Sequence, residues 1–146
     1  MQIKIKRVDK SLPLPEYKTD GAVCFDLTSR IDIEIQPQEI KLIPLNVMIK
    51  IPKGYFILMA PRSSLPIKKG LMAANSIGIF DEDYCGDNDE YLFEAYNFTN
   101  KSIQVTKGER VCQALLVKFE KAEFNVVDTM EDKDRGGIGS TKGYKN

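Results

Sequence analysis

The chain has 146 residues, with 21 basic and 21 acidic side chains and a formal net charge of zero. That length fits one domain with a single core, and the balanced charge excludes a broad positive field able to grip a nucleic-acid backbone. Histidine is absent; this excludes Ser-His and Cys-His nucleophile pairs and the usual His-bearing zinc sites, and leaves acid–base work near neutral pH to a carboxylate, Lys, Tyr or a metal-bound water.

From the N-terminus, Ile3 to Val8 is rich in β-branched residues and predicts a first strand. Ser11 to Ala22 carries Pro13, Pro15 and Gly21 and reads as a surface loop leading into Val23 to Leu27. Ile31-Asp32-Ile33-Glu34-Ile35 alternates strictly between apolar and acidic residues, as a half-buried strand demands. Further strands are predicted over Ile40 to Ile51, Tyr55 to Ala60, Ile77 to Phe80, Tyr91 to Asn97, Ile103 to Thr106 and Val111 to Val127. Pro37, Pro52-Lys53-Gly54, Asp87-Asn88 and Lys107-Gly108 mark turns, and one short helix fits near Ser63 to Lys69. Many short strands with almost no amphipathic helix predict an all-β sandwich, jelly roll or barrel. The tail from Thr129 holds four glycines and few large apolar residues, so it cannot order itself alone; the expected division is a β domain over 1–128 and a flexible arm over 129–146. Cys24, Cys85 and Cys112 are odd in number and form no CxxC pattern, which argues against a disulfide framework or a Cys-rich metal site and fits a reducing cytosol. No signal peptide opens the chain and no apolar run approaches the ~20 residues of a membrane span. The expectation is a cytoplasmic protein without a membrane or nucleic-acid partner.

Four constellations carry candidate chemistry. Pro61-Arg62-Ser63-Ser64-Leu65 places a planar cation beside two hydroxyls at a strand-to-helix junction, which suits either a phosphate ligand set or a plain helix cap. Gly108 to Gln113 follows a turn into a strand and leaves Arg110 and Gln113 at its mouth. Asn75-Ser76-Ile77-Gly78-Ile79-Phe80-Asp81-Glu82-Asp83-Tyr84 sets acids and a tyrosine just past an apolar strand, where Asp81 is expected to be partly desolvated; a solvated acidic turn is the plainer alternative. Asp134 to Thr141 combines a cation, backbone-permissive glycines and two hydroxyls without Walker A spacing, and reads as a phosphate-wrapping loop or as a linker.

Taken in order with Gly21 to Leu27, these segments resemble the five motifs of the trimeric deoxyuridine triphosphatase (dUTPase) family, spanning Gly21 to Thr141. The resemblance implies a jelly-roll-like dUTPase fold, a homotrimer with shared sites, and hydrolysis of dUTP to dUMP and pyrophosphate with Mg²⁺. By position, Asp81 resembles the carboxylate that activates the attacking water. Asn75 resembles the residue that reads the uracil edge, with backbone help from Gly78 and Ile79, and Tyr84 the ring that leaves no space for a 2′-hydroxyl. Arg62, Ser63, Ser64 and Gln113 resemble phosphate ligands, and Asp26 an aspartate that meets the metal through water. Arg135, Ile138, Ser140 and Thr141 resemble the arm that closes over a neighbouring subunit's site. A triphosphate bound to Mg²⁺ needs charge neutralisation and one aligned water more than a proton shuttle tuned to neutral pH, so an ordinary aspartate suffices without histidine.

The chain departs from the family in places. Cys24 stands where the family usually has Gly, and Phe25 where it often has Tyr. The tail's Arg135-Gly136-Gly137-Ile138-Gly139 is shorter than the usual form, with Lys133 as an alternative γ-phosphate contact and Ile138 in place of an aromatic lid residue. Cys85 to Tyr91 is longer and more acidic than a plain hairpin. Glu94-Ala95-Tyr96-Asn97 has the spacing used by the related dCTP deaminases, so a deaminase or bifunctional enzyme is the rival reading, and a non-catalytic nucleotide-binding module a third.

Overall fold

The computed structural model describes residues 1–137; Ile138, Ser140 and Thr141 lie outside the described residues. Eleven strands and one short helix appear in the order β1 (Lys4–Arg7), β2 (Phe25–Thr28), β3 (Ile33–Ile35), β4 (Ile40–Pro44), β5 (Val47–Lys50), β6 (Tyr55–Pro61), α1 (Leu65–Lys69), β7 (Leu71–Ala73), β8 (Gly78–Phe80), β9 (Leu92–Asn97), β10 (Ile103–Val105) and β11 (Arg110–Lys118). They form a four-stranded sheet β2-β11-β6-β8, a three-stranded sheet β4-β9-β7 and the pairs β1-β5 and β10-β3, with every pairing antiparallel.

Alternation decides which side of each strand is buried. In β6 Ile57 and Met59 are buried, while Phe56, Leu58 and Ala60 face the other way and are half-exposed. In β9 Phe93, Ala95 and Asn97 are buried, while Leu92, Glu94 and Tyr96 face outward. The inward sets meet between the sheets in one cluster with Leu27, Ile35, Ile43, Leu71, Val105 and Val111. Each such fully buried Leu, Ile or Phe contributes about 1.5–3 kcal/mol.

Three local features differ from the sequence expectation. The predicted Ile40 to Ile51 strand is broken at Leu45-Asn46, where Asn46 takes φ 68°, a left-handed conformation that asparagine tolerates. The predicted final strand stops at Lys118: Phe124 and Val126 are more than nine-tenths exposed and meet no pairing partner among the described residues. β7 was absent from the expected set and is only three residues long.

The helix ends where only glycine fits. Gly70 adopts φ 70°, and a Cβ there would lie 2.3 Å from Cγ2 of Thr99.

Candidate active site

The outer face of the β2-β11-β6-β8 sheet carries two polar groupings, one at each end of β6. At the first, Asp26, Gln113 and Ala60 stand side by side across three strands. The Asp26 carboxylate is mostly buried and is held between two guanidiniums, with Arg62 Nε at 3.3 Å from Oδ1 and Arg110 Nη1 donating to Oδ2 at 2.7 Å. Gln113 Nε2 donates to the Pro61 carbonyl at 3.2 Å. Two cations against one carboxylate leave a positive excess suited to an anion.

A bulge puts these side chains on one face. Arg110 and Gln113 are three apart, and a regular strand would send them to opposite sides. The register shifts between Arg110 and Cys112, so Val111 and Cys112 are buried consecutively and Gln113 returns to the side on which Arg110 meets Asp26. Ala114 to Val117 is itself a continuous apolar run, so the adjacent Val111 and Cys112 gave no distinctive sequence signal of the bulge.

Ser63 and Ser64 follow Arg62 past the end of β6. Ser64 occupies the helix N-cap position, yet its side chain makes no capping hydrogen bond, which weakens the cap reading and leaves its oxygen available.

At the other end of β6, the β8 pairing sets Gly78 against Met59 and Phe80 against Ile57, which carries Asp81 to the level of Phe56. Asp81 is exposed rather than partly desolvated, because nothing among the described residues covers the strand end. It borders a cleft of about 410 Å³ together with Phe56, Ile79, Glu82, Phe119 and Lys121. Glu82 is engaged structurally, accepting from the Gly54 N–H at 2.9 Å. Asn75 is exposed in the turn before β8, where its carbonyl accepts from Ile77 N–H at 2.8 Å. Tyr84 is about one-third exposed and rests on Phe80, with ring centroids 6.0 Å apart.

Thus Arg62, Gln113 and Asp26 are brought together, with Ser63 and Ser64 following on the chain, whereas Asp81 stands four residues away along β6 from the Asp26 row, roughly 13 Å at ~3.3 Å per residue. Lys133 and Arg135 are exposed beyond the last strand. The sequence places Arg110 at the mouth of a strand but does not reveal its contact with Asp26.

Among the described residues, no three His, Cys, Asp or Glu side chains converge to hold a metal ion. A metal bound by protein alone therefore does not fit. Mg²⁺ held chiefly by substrate phosphates, with one carboxylate reached through water, does fit the mostly buried acid at Asp26.

The deaminase spacing finds no site. Asn97 is fully buried and satisfied, donating to Ile35 O at 3.0 Å and Lys101 O at 2.7 Å and accepting from Thr99 N–H at 2.9 Å. Glu94 lies on the opposite face of β9.

The architecture is a jelly-roll-like β fold whose paired guanidiniums and exposed Asp81 carboxylate occupy opposite ends of β6. A family model described as dUTPase matches residues 10–143. The deoxyuridine 5'-triphosphate nucleotidohydrolase of Finegoldia magna is 40% identical, over 97% of this chain and 100% of the relative. The SPbeta prophage-derived deoxyuridine 5'-triphosphate nucleotidohydrolase YosS of Bacillus subtilis is 39% identical, over 97% of this chain and 98% of its own length. Among solved structures, the dUTPase from Streptococcus mutans superposes with TM-score 0.76 at 28% identity, covering 82% of this chain and 98% of that one. The Staphylococcus bacteriophage 80alpha dUTPase with dUPNHPP gives TM-score 0.84, over 95% of this chain and 97% of that one; at 22% identity this is a likeness of fold. The chain belongs to the dUTPase family, and the resemblance read from its motifs is borne out.

Proposed function

We propose that this chain hydrolyses dUTP to dUMP and pyrophosphate, with Asp81 orienting and deprotonating a water that attacks the α-phosphorus. The observation that supports this reading most directly is the division of the polar groups: a cationic, hydroxyl-bearing cluster at one end of β6 and an exposed carboxylate bordering a cleft at the other. Reacting atoms must approach to ~3–3.5 Å, and one chain holds its water-activating acid too far from its phosphate ligands for that. A homotrimer in which each site takes Asp81 from one subunit and Arg62, Ser63, Ser64 and Gln113 from another closes the gap. It also covers Asp81, which the described residues of one chain leave open to solvent.

In such a shared site Asn75 hydrogen-bonds the uracil edge, assisted by the backbone of Gly78 and Ile79, and the Tyr84 ring occupies the space a 2′-hydroxyl would need. Arg62 and Gln113 take phosphate oxygens, and the Ser63 and Ser64 hydroxyls donate to them. Mg²⁺, reached by Asp26 through water, neutralises phosphate charge when bound. The arm bearing Arg135, Ile138, Ser140 and Thr141 closes over the site and excludes water other than the nucleophile, with Lys133 as the alternative to Arg135 at the γ-phosphate.

Incubation with dUTP, dCTP and UTP, measuring pyrophosphate against ammonia, tests the substrate. Pyrophosphate from dUTP and no ammonia from dCTP is expected, whereas ammonia from dCTP would transfer the chain to the deaminase class. Asp81→Asn should lower kcat by about 10²–10⁴-fold while nucleotide affinity stays within about tenfold. Parent-like turnover in that variant would remove Asp81 from the mechanism.

A further inference from the structure

We propose that Arg30 and Glu90 are positioning residues for Tyr84, and through it determinants of the discrimination between deoxyribose and ribose. The inference rests on the reading of Tyr84 as the ring that excludes the 2′-hydroxyl.

A ring that rejects one hydroxyl must be held to a small fraction of an ångström, yet Tyr84 stands on a loop without strand or helix. Two sets of contacts restrain it. Its ring lies on Phe80 and on Tyr91, 6.1 Å away and inclined by 27°, and those two rings stack at 3.9 Å and 10°. Its hydroxyl donates to the backbone carbonyl of Glu90 at 3.3 Å.

That carbonyl is a fixed point because the Glu90 side chain is anchored three times. Arg30 donates to it from Nε at 2.7 Å and Nη2 at 2.9 Å, a bidentate pair, and Asn46 N–H donates to Oε1 at 2.8 Å. The anchors are themselves tied down. Arg30 N–H donates to Pro44 O at 2.7 Å, and the Asn46 side chain exchanges hydrogen bonds with the Asp9 backbone at 2.6 and 3.0 Å. Both members of the ion pair are mostly buried, so water competes little for them. Lys6 holds the outer side of the same loop through Asp87 at 2.9 Å. The acidic stretch between Cys85 and Tyr91 thereby acts as a strut that connects the β4-β5 corner to the sugar-facing ring.

The test is the ratio of kcat/KM for dUTP to that for UTP, in full-length protein whose folding and oligomeric state match the parent. Arg30→Met should lower the ratio about tenfold, within the ~10–200-fold range that shape discrimination over one small group reaches, chiefly by improving UTP use. Glu90→Gln keeps one acceptor for Asn46 N–H and Arg30 Nε but sets its amide NH₂ against Arg30 Nη2 and removes the charge, so its ratio should fall between the parent and Arg30→Met values. Tyr84→Phe, which removes only the tether, should reproduce the Arg30→Met value, and the double variant should add little to either. A ratio within about twofold of the parent in folded Arg30→Met overturns the proposal, as does an unchanged ratio in Tyr84→Phe should Arg30→Met fail to fold. Tyr84→Ala separates the two layers. An unchanged ratio there removes the sugar-gate reading and the inference with it, whereas a collapsed ratio beside unaltered Arg30→Met and Tyr84→Phe removes the inference alone.

Discussion

Tyr91→Phe should stabilise the protein, because the Tyr91 hydroxyl is buried and has no hydrogen-bond partner among the described residues. An unsatisfied buried polar group costs about 1–3 kcal/mol, and the substitution deletes it while keeping the ring that stacks on Phe80 at 3.9 Å. The vacated volume, on the order of 10 Å³, costs only about 0.2 kcal/mol at ~24 cal/mol per Å³. The net gain is about 1 kcal/mol or more, or a rise of about 2–4 °C in Tm for a domain of this size. Alkaline pH sharpens the difference. Burial pushes the Tyr91 phenol well above its ordinary value, with negative charge at Cys85 and Tyr84 adding to the shift, so the unfolded chain ionises first. Below pH about 10 the phenol is protonated in both states, and above it stability is lost as pH rises toward the folded value, at up to about 1.4 kcal/mol per pH unit. The phenylalanine variant escapes that loss, so its advantage should widen above pH about 10. Urea melts of both proteins at pH 7.5 and 10.5 measure the effect. A variant less stable than the parent by 0.5 kcal/mol or more would show that the hydroxyl has a partner and refute the reasoning.

Two further expectations concern reactivity and the arm. Iodoacetamide should modify Cys24 and Cys85 in the native protein and leave Cys112 untouched, because burial, aided by the nearby Asp26 charge, pushes the Cys112 thiol far above its ordinary value. Peptide mass spectrometry reads this directly, and native labelling of Cys112 would contradict its enclosure. Truncation before Asp132 should leave the β domain folded by circular dichroism while dUTP turnover falls severely, since no strand lies beyond Lys118 among the described residues; an unchanged rate would exclude a lid.

The strands legible in the sequence were those whose pattern is local. Ile31 to Ile35 alternates within itself, and Ile33, Glu34 and Ile35 emerge as β3 with the acid outward. β7 escaped because Leu71-Met72-Ala73 is short and its pairing with β9 is a tertiary matter. Phe119 to Val127 was apolar enough to suggest a continued strand, but propensity does not supply a partner. The candidate site divided in the same way. Motif order pointed to Asp26, Arg62, Asp81 and Tyr84, whereas the contact of Arg110 with Asp26 spans 84 positions and that of Arg30 with Glu90 spans 60, and neither leaves a local trace.

The extra residue that β11 accommodates beside β2 has a wider implication. Because it resets the phase of the strand, the count of residues from Arg110 to Gln113 matters as much as their identities. Inserting one more residue between Arg110 and Gln113 would turn every later side chain of β11 over, sending the Gln113 amide into the hydrocarbon interior and an aliphatic group out among the guanidiniums, whereas deleting Val111 or Cys112 would leave a regular strand with Arg110 and Gln113 two apart and still on one face. A residue gained in this stretch would therefore undo the arrangement, while a residue lost would only straighten the strand.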